Sequence, residues 1–542
     1  MKSCLKRNQS ILHVRESYSR GQKIIYAYLR FLCTLTIIVG FPWPLITANI
    51  YVYGSPQLAA IVTPNDVADK TVSWVSDNIT IATMDKNGMV TGISQGNTKI
   101  TATTRKSCQK ASCTVTVKPC EGNITPVTAA IPVNDFLNSI GVCSTISKRG
   151  ENLQSTIACA KYLGIRWFRA GYESDIPVSD LIELHHHANV CFSYGLGSGG
   201  NDLQRLLDGA KQLASAGALL ALEGNNEPNN WGVTYQGETG GRDLSWVPIA
   251  KLQRDLYRSV KNDPALKDYP VWNISESGAQ TDNVGLQFLT IQEGANTSMP
   301  AGTMYADYAN CHNYIVHPGW QGIHDNQTWI ASDPGPECKV DGLYGNYGLT
   351  WLNKYPGYSV SELMTLPRIT TETGVAIDTY GVDEELQGKL FMNLYLSQFK
   401  RGWSYTSIYL LRDRTDESGN QQYGFYKPDY TPRQAAHYLH NLTTILADAG
   451  SISSPGVLNY SIPCQPVTVH DMLLQKSNGK FYLVVWGEQY SGSSNNVSIN
   501  LDSTYSFINI YDPTIGTSMV QTLNNVSSAT ISITDHPLII EI

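Results

Sequence analysis

The chain is expected to fold as a multidomain protein: a central (β/α)8 TIM barrel, an N-terminal immunoglobulin-like β-domain and a C-terminal β-sandwich. Three observations lead there. At 542 residues, 42% hydrophobic and 16% charged, the chain is long enough for two to four domains and can fill their cores. Between residues 134 and 447, eight apolar strand-like runs alternate with amphipathic helical stretches. On either side of that region the helical period disappears. Short runs with a period of two take its place, spaced by Gly, Ser and Asn.

Residues 1–48 read as a targeting segment. Lys2, Lys6, Arg7, Arg15, Arg20, Lys23 and Arg30 face a single acid, Glu16, before the uncharged stretch Phe31 to Ala48. A basic lead, an apolar run and a small residue near a cleavage point make a signal peptide. The uncharged stretch is also about long enough for a retained membrane anchor. Either reading places the remainder outside the cytoplasm, secreted or held at the surface.

Residues 56–118 read as a small β-domain. Thr71-Val72-Ser73-Trp74-Val75 alternates, and Asn87-Gly88 lies between Ile81–Asp85 and Met89–Gly92 as a hairpin turn whose central residues need positive φ. With Gly96 and Ile100-Thr101-Ala102, these residues resemble the bacterial immunoglobulin-like group 2 domain. The resemblance implies a spacer or adhesive module and association with a cell surface.

In the region 134–447 the expected strands are Ile140–Ser144, Ile165–Arg169, Val190–Tyr194, Ala218–Leu222, Val271–Ser275, Tyr308–Asn313, Arg368–Glu372 and Ser404–Leu410. Helices such as Asp202–Ala216 and Trp246–Lys261 lie between them. The glycine-rich run Gly195–Gly200 lacks the Lys-Ser/Thr of a phosphate-binding loop and reads as a barrel loop. Residues 451–542 return to strands, from Phe481–Trp486 to the apolar Leu538–Ile542. Strands around 120–132 are expected to join them.

A barrel presents its chemistry at the C-terminal ends of its strands. Arg169 ends the second, Asn226-Glu227 follows the fourth, His312-Asn313-Tyr314 ends the sixth, and Glu372 ends the seventh. Two carboxyls facing one another are what glycosidic bond cleavage requires. The pattern is similar to glycoside hydrolase clan A, the retaining (β/α)8 glycosidases, broadly like families 5 and 39. The resemblance implies Glu227 as acid/base and Glu372 as nucleophile. It implies Arg169, Asn226, His312 and Tyr314 as their partners at a carbohydrate. Trp231 and Tyr235 are expected to line the cleft, with Trp320 and Trp329 in a long loop after the sixth strand. Glu223 and Glu276 are competing carboxylates, and Glu223 is expected beside the site rather than in it. The clan's Trp after strand eight is missing. Tyr409 is the candidate replacement, and Arg412 reads as either a sugar contact or a partner of Asp413 or Asp416.

A net charge of −7 with no basic stripe argues against nucleic acid. The 11 cysteines make disulfides permissible after export, with Cys143 and Cys191 read as free core thiols. No Cys/His spacing suggests a metal, no cofactor is implied, and His185-His186-His187 reads as a solvated helix end. Nothing in the sequence sets an oligomeric state. The competing reading is a non-catalytic carbohydrate-binding or adhesion protein with a glycosidase-like barrel.

Overall fold

The computed structural model describes strands at 35–39, 46–51 and 58–62 and most of residues 71–542. Residues 119–126, 276–302, 316–366 and shorter gaps are not described. Most of the leading segment, Glu276, Trp320 and Trp329 therefore lie outside the described residues. The chain divides into two compact units, Met1–Pro119 and Cys120–Ile542.

In the first unit, Ile46–Tyr51, Lys110–Lys118, Gly96–Thr104 and Val72–Ser76 form one four-stranded sheet in that order. Its inward side chains alternate as a half-buried sheet requires: Cys113, Val115 and Val117 are buried between exposed or half-buried neighbours. Gly88 takes φ +92° in the turn where Asn-Gly was expected. The strand Ile46–Tyr51 pairs in parallel with Lys110–Lys118. The module thus takes in residues upstream of 56, and Ala48, read as near a cleavage point, sits opposite Val115. Among the described residues no helix is long and apolar enough to cross a membrane.

The second unit contains the barrel. Its strands are β1 (Ile140–Cys143), β2 (Trp167–Arg169), β3 (Cys191–Gly195), β4 (Leu219–Glu223), β5 (Val271–Trp272), β6 (Ala309–His312), β7 (Arg368–Thr373) and β8 (Trp403–Ile408). All pair in parallel in the order β5-β4-β3-β2-β1-β8-β7-β6. A single parallel bridge between Trp272 and Tyr308 joins the two ends, so the barrel is nearly closed. Register does the placing. Arg169 lies beside Ser193, Gly195 beside Glu223, and His312 beside Glu372. One layer inward, Trp167, Trp272, Ile369, Tyr308 and Tyr405 form an aromatic floor. Gly141 on β1 makes room for it, since a Cβ there would lie 2.1 Å from the Trp167 ring.

The C-terminal region forms one seven-stranded sheet. Ile131–Pro132, ahead of the barrel, pairs with Val469–Gln475, so chain from before the barrel does complete this sheet. Both faces of the strand Phe481–Gly487 are buried. Tyr482, Val484 and Trp486 join the barrel's hydrophobic core, while Leu483 and Val485 join the sheet's own. Burial on two faces explains why that run is apolar without alternation. The helix Glu384–Lys400 is wedged between barrel and sheet, capped by Asp383, whose Oδ1 accepts from the Leu386 amide at 2.8 Å. Asn393 on it donates to the carbonyls of Gly487 and Asp535 at 3.1 and 2.8 Å.

Candidate active site

At the C-terminal mouth the buried Arg169 guanidinium is the hub. Its Nη1 donates to Glu372 Oε2 at 2.9 Å. Its Nη2 donates to Glu223 Oε1 and Asn226 Oδ1, both at 2.8 Å, and its Nε to Glu223 Oε1 at 3.1 Å. Burial opposes the charge on Arg169, and Glu223 and Glu372 overcome it, keeping the guanidinium protonated. Glu223 is held away from any substrate by Ser193, Thr371 and Asn310, which donate to it at 2.7, 2.8 and 3.3 Å. Gly195 lets it fit, because a Cβ there would come within 2.8 Å of the Glu223 Cβ.

Glu227 sits in the turn after β4 with φ +43°, a conformation few residues other than glycine adopt. Its amide donates to the Ser275 carbonyl at 3.0 Å, and its own carbonyl accepts from Asn230 and Trp231 at 2.8 Å. The side chain meets only neutral partners. Asn230 Nδ2 donates to Oε2 at 2.9 Å, and His312 Nδ1 lies 2.7 Å from Oε1. Burial raises its pKa above the usual carboxylate range. Burial also pushes Glu372 up, but Arg169 and the Tyr314 hydroxyl, which donates to Oε1, work in the other direction. His312, fully buried, is pushed down to about 4 by the same loss of solvent and is uncharged at neutral pH.

Glu227, His312 and Glu372 offer oxygen and nitrogen atoms within 4.8 Å of one another. That spacing would also admit a cation, yet Arg169 already supplies positive charge at Glu372. The structure thus brings Arg169, Asn226, Glu227, His312, Tyr314 and Glu372 into one cluster. Trp231 stands at its edge, 49% exposed. Asn226 is held at both ends, by Arg169 and by Ser198 of the glycine-rich loop, to which its Nδ2 donates at 3.0 Å. The loop is therefore a positioning element.

Two expectations change. Tyr235 turns to the helix Val247–Asn262, where its hydroxyl donates to Asp255 at 2.9 Å. Arg412 contacts neither Asp413 nor Asp416 through their carboxylates. Its Nε donates to the Pro428 carbonyl at 2.7 Å and its guanidinium lies over Tyr430, while Asp413 pairs with Arg433 and Asp416 with Arg414. Tyr409 packs edge-on against Tyr423, which also meets Tyr314. Thr371, Asn310, Ser193 and Tyr423 were not singled out from sequence. Asn310 carried a signal, since it lies two residues before His312 on the same strand face.

Residues 48–115 match the family model described as the bacterial Ig-like domain (group 2). An alpha-L-arabinofuranosidase of Bifidobacterium longum subsp. longum is 43% identical over 65 residues, 12% of this chain and 6% of that protein. A lacto-N-biosidase of Bifidobacterium bifidum is 48% identical over 61 residues, 11% and 5% respectively. The chain thus spans about one-twentieth of the length of these curated relatives. Among solved structures, a family 39 glycoside hydrolase from Bacteroides cellulosilyticus WH2 aligns over 93% of this chain and 99% of its own at 13% identity and TM-score 0.46. A GH51 arabinofuranosidase from Xanthomonas axonopodis pv. citri aligns over 76% and 97% at 10% identity and TM-score 0.43. At these scores the likeness carries no residue correspondence.

Proposed function

We propose that the barrel is a retaining glycoside hydrolase acting on a poly- or oligosaccharide outside the cytoplasm, with Glu227 as acid/base and Glu372 as nucleophile. The observation that carries this is the pairing of two carboxyls with opposite surroundings, their nearest oxygens within 4.8 Å. Retention needs carboxyls about 5–5.5 Å apart, whereas inversion needs roughly 6.5–9.5 Å to admit a water. Of the two, Glu372 has the cation and the phenol, so it is the ionised one.

Glu372 then attacks the anomeric carbon as the glycosidic C–O bond breaks, and the leaving oxygen takes the Glu227 proton. Water attacks the glycosyl ester formed on Glu372. Glu227 removes the water's proton, releasing the sugar and restoring both groups. Asn226 is positioned for the sugar 2-hydroxyl, Tyr314 and Arg169 hold the nucleophile, and Trp231 offers a stacking face at the rim. Tyr409, packed against Tyr423, is the proposed platform in place of the absent strand-eight Trp. The disulfide at Cys464 and the Ig-like module support action outside the cytoplasm, at or near a cell surface. No cofactor or metal is assigned to the reaction.

The test is hydrolysis of a glycan panel that includes arabinofuranosides, with the anomer of the first product followed by NMR. Retained configuration is expected. Inversion would sink the retaining two-carboxylate scheme, and cleavage of nothing on the panel would favour a binding protein.

A further inference from the structure

We infer that Glu223 and Thr371 are positioning residues that set the tautomer of His312, and through it the proton on Glu227. The inference rests on the reading of Glu227 as the acid. The argument begins at Glu223. Its Oε1 lies 2.8 Å from Thr371 Oγ1 and 2.8 Å from Arg169 Nη2. A carboxylate only accepts hydrogen bonds, so the proton between the two oxygens belongs to Thr371.

The Thr371 oxygen then has two lone pairs left. One accepts from Asn310 Nδ2 at 3.0 Å. That amide's orientation is set independently, since its Oδ1 accepts from the Thr371 backbone N–H at 3.2 Å and its Nδ2 faces the Asn273 carbonyl at 3.3 Å. The other lone pair faces His312 Nε2 at 3.1 Å. With its only hydrogen going to the charged Glu223 at 2.8 Å rather than to the neutral Asn310 Oδ1 at 3.2 Å, Thr371 accepts there, so Nε2 carries the imidazole hydrogen. Uncharged His312 therefore presents a bare Nδ1. That nitrogen lies 2.7 Å from Glu227 Oε1, a contact that requires a hydrogen on the glutamate.

The result is a one-way chain of donors: Glu227 to His312, His312 to Thr371, Thr371 to Glu223. It ends on a carboxylate whose charge Arg169 balances. Among the described residues, the charged groups acting on His312 are Glu372 on β7, Arg169 on β2 and Glu223 on β4. Of these, Glu372 Oε2 lies 3.6 Å from His312 Nδ1, farther than the 2.7 Å to Glu227 Oε1. The chain decides which glutamate rests protonated. It also bears on the second half-reaction, where Glu227 has lost its proton and its oxygen faces the Nδ1 lone pair. That repulsion makes Glu227 the stronger base when water must be activated.

Two measurements test this on the full chain. The first is the 15N spectrum of histidine-labelled protein, with His312 assigned by loss of its signal in His312→Gln. The Nε2–H tautomer is expected in the unchanged protein. An Nδ1–H tautomer overturns the inference whether or not the chain cleaves any glycan. The second compares Thr371→Val with Thr371→Ser. Valine removes the hydroxyl and frees His312 to donate from Nδ1 to ionised Glu227. The alkaline limb of kcat/KM should then fall by about one pH unit, with about a tenfold loss on poor leaving groups and little on activated aryl glycosides. Serine should restore both. An unchanged limb in the valine variant, or the same shift in both variants, overturns the inference. A merely structural role would not separate leaving groups in this way.

Discussion

The mouth and the floor of the barrel are equally dry and built on opposite terms. At the mouth, Arg169, Glu223, Asn310, His312 and Thr371 are all 1% exposed or less, and each meets directional partners. On the floor, Trp167 and Trp272 are equally buried, 5.5 Å apart edge to face, and among the described residues neither indole N–H has a partner. Large rings filling a barrel interior stabilise through area and close packing. Buried ion pairs bring little net stability, because desolvation consumes most of their attraction. The floor therefore carries the fold, and the mouth spends its polarity on holding carboxyls in place.

The largest expected effect tests the mouth. Glu372→Gln removes the proposed nucleophile but keeps its shape and a hydrogen bond from Tyr314. Hydrolysis should fall by at least about 10⁴-fold while thermal stability changes little. A variant that cleaves as well as the unchanged protein would remove the nucleophile role. One that melts as early as a floor variant would erase the contrast between the regions.

The floor should respond in reverse. Trp272→Ala leaves a cavity among Trp167, Tyr308 and Tyr405 and should cost about 3–5 kcal/mol of stability. Molecules still folded should keep their kcat. Urea unfolding with activity normalised to folded protein separates the two quantities. A loss of kcat per folded molecule comparable to that of a mouth variant would mean the floor sets site geometry directly.

The two regions also differed in how far they could be read beforehand. The eight strands were legible as apolar runs alternating with helical stretches, because a parallel strand buried on both faces is an apolar run. Arg169, Glu227 and Glu372 stood out since charge at the end of such a run is anomalous. Thr371 did not, because threonine in a strand is ordinary, and its role depends on where one hydrogen points. The salt-bridge reading of Arg412 fails because it rested on sequence proximity to Asp413. The carboxylate instead faces Arg433, leaving Arg412 to a carbonyl and the Tyr430 ring. Tyr235 was misjudged for a related reason: a short hairpin, Val233–Tyr235 with Glu238–Gly240, turns it toward Asp255.

The seam between barrel and C-terminal sheet sharpens the comparison, since charge there serves stability rather than chemistry. His536 lies 3.2 Å from Asp512 and 3.1 Å from Asp535, and Asp535 also meets Lys389 of the wedged helix. Burial works against the His536 charge, but the two aspartates raise its pKa to about 9, and Asp535 is lowered to about 2. A histidine raised on folding stabilises fully below its unfolded value near 6.5, and loses that contribution as pH climbs through about 9. The aspartate's share acts above its unfolded value near 3.9 and disappears as pH falls toward 2. The seam should therefore be firmest between about pH 4 and 6.5. His536→Gln should lower the urea midpoint most in that window, by the equivalent of roughly 1–2 kcal/mol, and hardly at all near pH 10. The floor variant, whose tyrosines Tyr308 and Tyr405 are pushed above the ordinary tyrosine value by burial, should show a deficit that stays constant from the acid side to neutral pH. A His536→Gln deficit that grew with pH would mean the imidazole sits there uncharged, held by packing as the floor is.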